Sequence, residues 1–164
     1  MENVISKRRS CRFFSERPVL EQDILDILSA GAKAPSVRNT QPWRFRVIKE
    51  QEVISAMGAC LKKSKWIKNA PLLIMVLAIE DKDIDISKKM LSIGACIENM
   101  LLCATGKGIA SCWVSEFLGD SDEIHALLNI SSSYREVAVI ALGYERGGLP
   151  NIQPSKYDIE ELLI

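Results

Sequence analysis

Eight consecutive apolar residues, Leu72-Leu73-Ile74-Met75-Val76-Leu77-Ala78-Ile79, follow Pro71. A short, unbroken apolar run of this kind fits a central strand covered on both faces rather than a half-exposed one. Such a strand leaves no side for water, so other segments must supply a layer above it and a layer below.

Candidates for those layers recur along the chain. Leu20, Ile24, Leu25, Ile27 and Leu28 fall at i, i+3 and i+4 spacings, with Glu21, Gln22, Asp23 and Asp26 on the other face. That stripe reads as an amphipathic helix packed on a core, closed by Gly31 and Pro35. Residues 2–8 suit a short helix and Glu52 to Leu61 another. Ile86 to Lys107 is the longest helical stretch; Met90, Leu91, Ile93, Ile97, Met100, Leu101 and Ala104 spread around it. A helix that apolar is buried in a large core or against a partner subunit. Gly106 and Gly108 stop it, and Asp120 or Ser121 caps a further helix running to Leu128. Trp43, Phe45 and Val47 alternate with Arg44, Arg46 and Ile48, the pattern of a half-buried strand. Ile109 to Val114 and Val137 to Leu142 complete the strand set. Helices alternating with strands imply a layered arrangement of both, without fixing the strand order.

The 164 residues suit one domain spanning 1–164, and 21 basic residues balance 21 acidic ones. Balanced, scattered charge and sparse aromatics argue against a nucleic-acid or membrane surface. The residues at the start lack a signal-peptide pattern, and the longest apolar run is too short to span a bilayer. Cys11, Cys60, Cys96, Cys103 and Cys112 are odd in number, dispersed, and form no C-x-x-C, which fits reduced thiols in the cytoplasm. There is no phosphate-loop motif and no G-x-G-x-x-G following a strand. With His125 the sole histidine, no metal site and no Cys–His pair is expected.

Two polar clusters remain. Arg8-Arg9-Ser10-Cys11-Arg12 gathers three guanidiniums and a hydroxyl within five residues. Guanidinium forks pair with phosphate oxygens, although a charge run of this kind also fits a solvated surface. Ala34-Pro35-Ser36-Val37-Arg38-Asn39-Thr40-Gln41-Pro42 is a proline-braced loop rich in hydroxyl and amide groups. It suits presentation of polar groups to a planar or anionic ligand, or an ordinary helix-to-strand connection.

Arg8-x-Ser10-x-Arg12-x-Phe14 followed by Ala34-Pro35-Ser36-x-x-Asn39-x-Gln41-Pro42-Trp43-x-Phe45 resembles the nitroreductase family of FMN-dependent oxidoreductases. The resemblance continues through Gly94-Ala95-Cys96-Ile97-Glu98-Asn99, Gly108-Ile109-Ala110-Ser111-Cys112-Trp113 and Ala141-Leu142-Gly143-Tyr144. It implies an α+β, three-layer fold whose mixed central β-sheet is flanked by helices. It also implies a homodimer whose C-terminal tails reach across, compatible with the apolar Ile159 to Ile164.

By the same resemblance, FMN is the cofactor, NADH or NADPH the electron donor, and a small molecule such as a nitroaromatic or quinone the acceptor. Positions matching Arg8, Arg9, Ser10 and Arg12 hold the phosphate and ribityl chain, with Lys156 a further basic candidate. Pro35, Ser36 and Asn39 approach the isoalloxazine ring, in the family from the other subunit. Val114 and Ser115 belong to a segment whose backbone lies beside the reactive ring, where Glu116 is expected to narrow the pocket. Trp43 and Phe45 read as core. No catalytic side chain is nominated, because the electron chemistry belongs to the flavin. The alternatives are a low-turnover flavin carrier or sensor, and a specialised reductase such as a dehalogenase.

Overall fold

The computed structural model describes residues 2–80, 83–116, 122–147 and 158–163. Its elements in chain order are α1 (Glu2–Lys7), α2 (Glu21–Ala32), β1 (Trp43–Ile48), α3 (Gln51–Cys60), β2 (Leu72–Ile79), α4 (Ile86–Gly106), β3 (Ala110–Val114), α5 (Asp122–Leu128) and β4 (Tyr134–Gly143). Short 3-10 turns occupy Val37–Asn39, Lys65–Asn69 and Ile159–Leu162. The residues anticipated as caps of α5, Asp120 and Ser121, lie outside the described residues.

β2 is as central as its composition demands. Leu72, Ile74, Val76 and Ala78 pack into a core with α2 and α4, while Leu73, Met75 and Leu77 pack on the other side with α3 and α5. The fold is therefore α+β in three layers, helices on both faces of one sheet. β1 follows its alternating pattern, with Trp43, Phe45 and Val47 facing the α2–α4 core. Ile48 turns the other way, toward α3, and is 1% exposed.

The strand order is β1-β2-β4-β3. Each ladder within it is antiparallel, so the anticipated mixture of strand senses is reduced to a single parallel bridge, Ser10 with Ser111. The cause is one of order. α4 carries the chain from β2 back to β3 in the same direction, which would produce a parallel pair if the two were neighbours. β4 inserts between them and runs opposite to both. It also reaches further than its apolar stretch, beginning at Tyr134 and pairing through Ile79. A bulge opposite Val76 and Leu77 skips Val137, which places Val137 and Ala138 on the same core.

Two helix ends illustrate how sequence signals resolve. Gly108 has φ of 72° and ends α4, the left-handed role expected of it. Gly31 instead lies inside α2, buried against α4. A Cβ there would sit 2.6 Å from Met100 Cγ, so the residue serves close helix approach rather than helix termination. Asn99 strengthens the same contact by donating to the Ala30 carbonyl at 3.3 Å. At the far end, Lys107 pairs with Asp23 and Asp26 of α2.

Candidate functional site

The segment after α1 runs along the outer edge of β3. The Cys11 N–H donates to the Ser111 carbonyl at 2.9 Å, and Ser10 forms the parallel bridge with Ser111. Further on, Ser15 N donates to the Tyr144 carbonyl at 2.7 Å, and Arg146 N donates to the Phe13 carbonyl at 3.1 Å. Cys11 and Phe14 are buried in the α3–α5 core, which pins the segment and leaves Ser10, Arg12 and Phe13 facing outward. Apolar anchors thus position the polar residues between them.

The buried Cys112 thiol follows Ser111 on β3. Burial pushes its pKa up, while the Arg12 guanidinium, a hydrogen bond from Ser10 and the Arg8 guanidinium pull the other way. Ser10 is fixed at the β3 edge by its bridge to Ser111, with Arg8 two residues before it and Arg12 two after. Arg8 makes a long ion pair of 3.6 Å with Glu98 of α4, and Arg12 lies over the Trp66 ring with Cζ 5.9 Å from its centroid. Arg9 donates to the Arg8 carbonyl, but its Nε is buried with no acceptor. An orphaned buried donor costs about 1–3 kcal/mol, an incentive for an acceptor to occupy this edge.

Val114 ends β3 and Ser115 follows it, about 10–13 Å along the chain from Ser111. Val114 is buried and Ser115 exposed. Glu116 follows, and here the expectation is corrected. Its carboxylate does not narrow a pocket; it accepts from the backbone N–H groups of Lys62, Lys63 and Ser64, each at 2.8 Å. The Lys63 N–H above all holds Glu116 below the ordinary carboxylate range. This clamp brings the Lys62–Ser64 turn beside the end of β3, a long-range contact that no local pattern announces.

The proline-braced loop is strained. Arg38, Asn39 and Gln41 all have positive φ, 49°, 56° and 46°. For residues with a Cβ this costs roughly 1–2 kcal/mol each, and such outliers cluster at functional sites. The loop is held by Ser36 Oγ accepting from Gln41 N at 3.0 Å and by Val37 N donating to Ser92 Oγ of α4 at 3.2 Å. Asn39 Oδ1 accepts from Gln41 Nε2 at 3.2 Å. Ser36 and Asn39 therefore tie the loop together; the Ser36 hydroxyl hydrogen and the Asn39 amide N–H groups remain to donate outward. Pro35 and Asn39 are exposed. Trp43, at 4% exposure, is core as read from the sequence.

One chain does not unite the loop with the arginine cluster. β1 and β3 are opposite edges of the sheet, three strand steps or about 14 Å apart. The register sets Trp43 level with Ala78, and Ser111 level with Leu142 and Leu72. Those levels differ by six residues, about 20 Å along the strands, while both clusters rest on α4, Val37 N on Ser92 Oγ at 3.2 Å and Arg8 on Glu98 at 3.6 Å, six helix residues or about 9 Å of rise apart. The last residue anticipated at the site, Lys156, lies outside the described residues.

Comparison with known proteins shows the family and its fold. The Nitroreductase family model matches residues 5–60 and 50–144. A protein of Archaeoglobus fulgidus, provisionally named an NADH dehydrogenase/NAD(P)H nitroreductase, is 32% identical over 87% of this chain and 84% of its own. The iodotyrosine deiodinase of Thermotoga neapolitana is 24% identical over 99% of this chain and 95% of its own. A crystal structure from Desulfovibrio desulfuricans, provisionally a nitroreductase and solved in complex with FMN, superimposes with a TM-score of 0.89. It is 27% identical, covering 99% of this chain and 94% of that one.

Proposed function

The chain belongs to the nitroreductase family, and from that footing we propose an FMN-dependent oxidoreductase that draws hydride from NADH or NADPH and reduces a small acceptor such as a nitroaromatic or quinone. The observation that carries the proposal is the strip Arg8–Arg12, three guanidiniums and a hydroxyl, pinned to the outer edge of β3 through Ser10 and Cys11 at Ser111. The donor set suits a phosphate monoester. Among the described residues no carboxylate pairs with Arg12, Arg8 holds Glu98 only loosely, and Arg9 Nε lacks an acceptor.

The residues divide the work along β3. Arg8, Arg9, Ser10 and Arg12 bind the phosphate and ribityl end, where charge-assisted hydrogen bonds are strongest. The chain around Val114 and Ser115 lies where the ring would sit, with the Glu116 clamp fixing its floor. Bound FMN supplies the redox chemistry, accepting hydride and passing electrons to the acceptor. The protein contributes orientation and exclusion of water, so no acid–base side chain is required.

A homodimer completes the site in this proposal. In this proposal Pro35, Ser36 and Asn39, whose loop leads into the opposite edge strand β1, meet the flavin on β3 from a second copy. α4 offers the surface. Leu91 is 77% exposed, and Gly94, Glu98 and Leu102 continue its stripe at helical spacing. Among the described residues nothing outside its own stretch of helix lies within 4 Å of where a Gly94 Cβ would be, leaving room for another backbone. The cytoplasm suits five cysteines that are all free thiols, and no described helix is long and apolar enough to cross a membrane.

The test is an absorbance spectrum of the purified protein followed by anaerobic NADH or NADPH. A yellow protein that releases FMN on denaturation and bleaches on reduction is expected. Arg12→Ala should weaken FMN by about 1.5–3 kcal/mol, the worth of a charged hydrogen bond. A protein that takes up no flavin would end the proposal; one whose flavin NAD(P)H fails to reduce would favour a carrier. The deiodinase relative makes reductive dehalogenation the second reading, separated by profiling halogenated against nitroaromatic substrates.

A further inference from the structure

The Lys62–Ser64 turn is fastened to the site at two places. Glu116 gathers its backbone N–H groups beside the end of β3, Oε1 accepting from Lys62 and Lys63 and Oε2 from Ser64, each at 2.8 Å. Two residues past Ser64, Trp66 lies under the Arg12 guanidinium, whose Cζ is 5.9 Å from the ring centroid. The same ring meets Phe14 with centroids 6.4 Å apart. The turn therefore borders the stretch between the arginine strip and Ser115.

What the turn brings there is positive charge. Lys62, Lys63, Lys65 and Lys68 fall in a segment with no acidic residue between Glu52 and Glu80, in a chain whose 21 basic and 21 acidic residues balance overall. Lys62, Lys63 and Lys65 are exposed, and none of them forms an ion pair among the described residues. Glu116, the carboxylate that holds the turn, spends both oxygens on main-chain amides rather than on an ammonium group. The phosphate end has its own donors in Arg8, Arg9, Ser10 and Arg12, which leaves these lysines to the ring end of the groove. Unpaired cations beside a cleft concentrate an anionic ligand there and set its orientation.

We infer that the acceptor reduced at this site is an anion, a nitroaromatic or quinone bearing a carboxylate or sulfonate, drawn to the ring by Lys62 and Lys63. The inference rests on the flavin reading and adds the charge of the acceptor to it. For a nitrobenzoate, the donor's hydride supplies two electrons and one proton, and solvent supplies a second proton. The nitro group becomes nitroso, water leaves, and NAD+ or NADP+ remains. The carboxylate takes no part in those bonds; it fixes the end of the acceptor remote from the nitro group. Discrimination between acceptors is thus exerted on encounter and orientation, where charge complementarity acts most strongly.

Holoenzyme is reduced anaerobically with NADH and mixed in stopped flow with 4-nitrobenzoate or with its neutral analogue 4-nitrobenzamide, following reoxidation of the flavin. Wild type is compared with the double variant Lys62→Ala, Lys63→Ala. These substitutions keep the main-chain N–H groups that hold Glu116, and a thermal melt checks that the variant is folded. Each acceptor is compared with itself across the two proteins, so their different ease of reduction drops out. The benzoate-to-benzamide ratio of second-order rate constants should fall about fivefold in the variant, the worth of two partly exposed ion pairs. In wild type the same ratio should fall as salt is raised. A ratio indifferent to the substitutions and to salt overturns the inference and leaves the flavin reading standing. Slower reduction by NADH or NADPH with an unchanged acceptor ratio overturns it in favour of the donor's phosphates. Loss of bound FMN from the variant assigns the lysines to the cofactor and overturns it too. A wild-type protein with no flavin to reduce removes both.

Discussion

Gly143→Ala probes whether the floor under the arginine cluster is rigid. Gly143 ends β4, pairs with Ala110 of β3, and has no left-handed backbone angle that alanine would resist. A Cβ there would lie 2.7 Å from Pro71 Cγ, 2.8 Å from Pro71 Cδ and 3.0 Å from Phe14 Cδ1. Neither neighbour swings away easily: the first is a closed ring at the start of β2, the second a ring 5% exposed in the core. Overpacking of this kind costs about 1–3 kcal/mol. Replacing glycine within a strand returns about 0.5–1 kcal/mol through the unfolded chain. At the midpoints of these ranges the clash wins by roughly 1.25 kcal/mol, or about 2.5–5 °C in Tm for a chain of this size. Because Phe14 sits two residues from Arg12, flavin should also be released more readily at a temperature where the variant is fully folded. Thermal melts and flavin titration of the same preparation measure both effects. A variant as stable as wild type would show that Pro71 and Phe14 yield freely, and that packing does not set the position of the cluster.

Two further substitutions test other parts of the site. Glu116→Gln keeps an acceptor for the 62–64 turn but removes the charge. A carboxyl held below its ordinary value of 4.5 stabilises the fold above that value, and this is lost as pH falls through the lowered folded-state pKa. The stability gap between wild type and variant, read from urea melts, should be full at neutral pH and close in acid; a constant gap would refute the charge's role. Leu91→Glu places a carboxylate at the most exposed apolar position of the α4 stripe. Light scattering should then report a monomer, with flavin retention falling alongside; a dimer of undiminished mass would move the interface elsewhere.

The sequence makes legible whatever depends on local period. The apolar run of β2, the stripe of α2 and the alternation of β1 translate directly into buried faces, because each is read within one element. What escapes it is set by partners distant in the chain. Gly31 looks like a helix terminator until Met100 is seen against it. Glu116 looks like a pocket residue until the Lys62–Ser64 amides are seen around it. The insertion of β4 between β2 and β3 has no local signature, so neither the strand order nor the antiparallel sense of each ladder is legible in local patterns. The arginine cluster is visible as composition, yet its placement depends on Ser111 and Tyr144.

That last dependence bears on how the protein comes to be made. Residues 11 and 15 take their main-chain partners from Ser111 and Tyr144, about a hundred residues or more downstream. During synthesis the early arginines must wait, unpaired, until β3 and then β4 have left the ribosome. Closing so long a loop is slow compared with forming helices from neighbouring residues. Cofactor capture is accordingly one of the last events in maturation, and a nascent chain lacking β4 has no fixed edge on which to hold it.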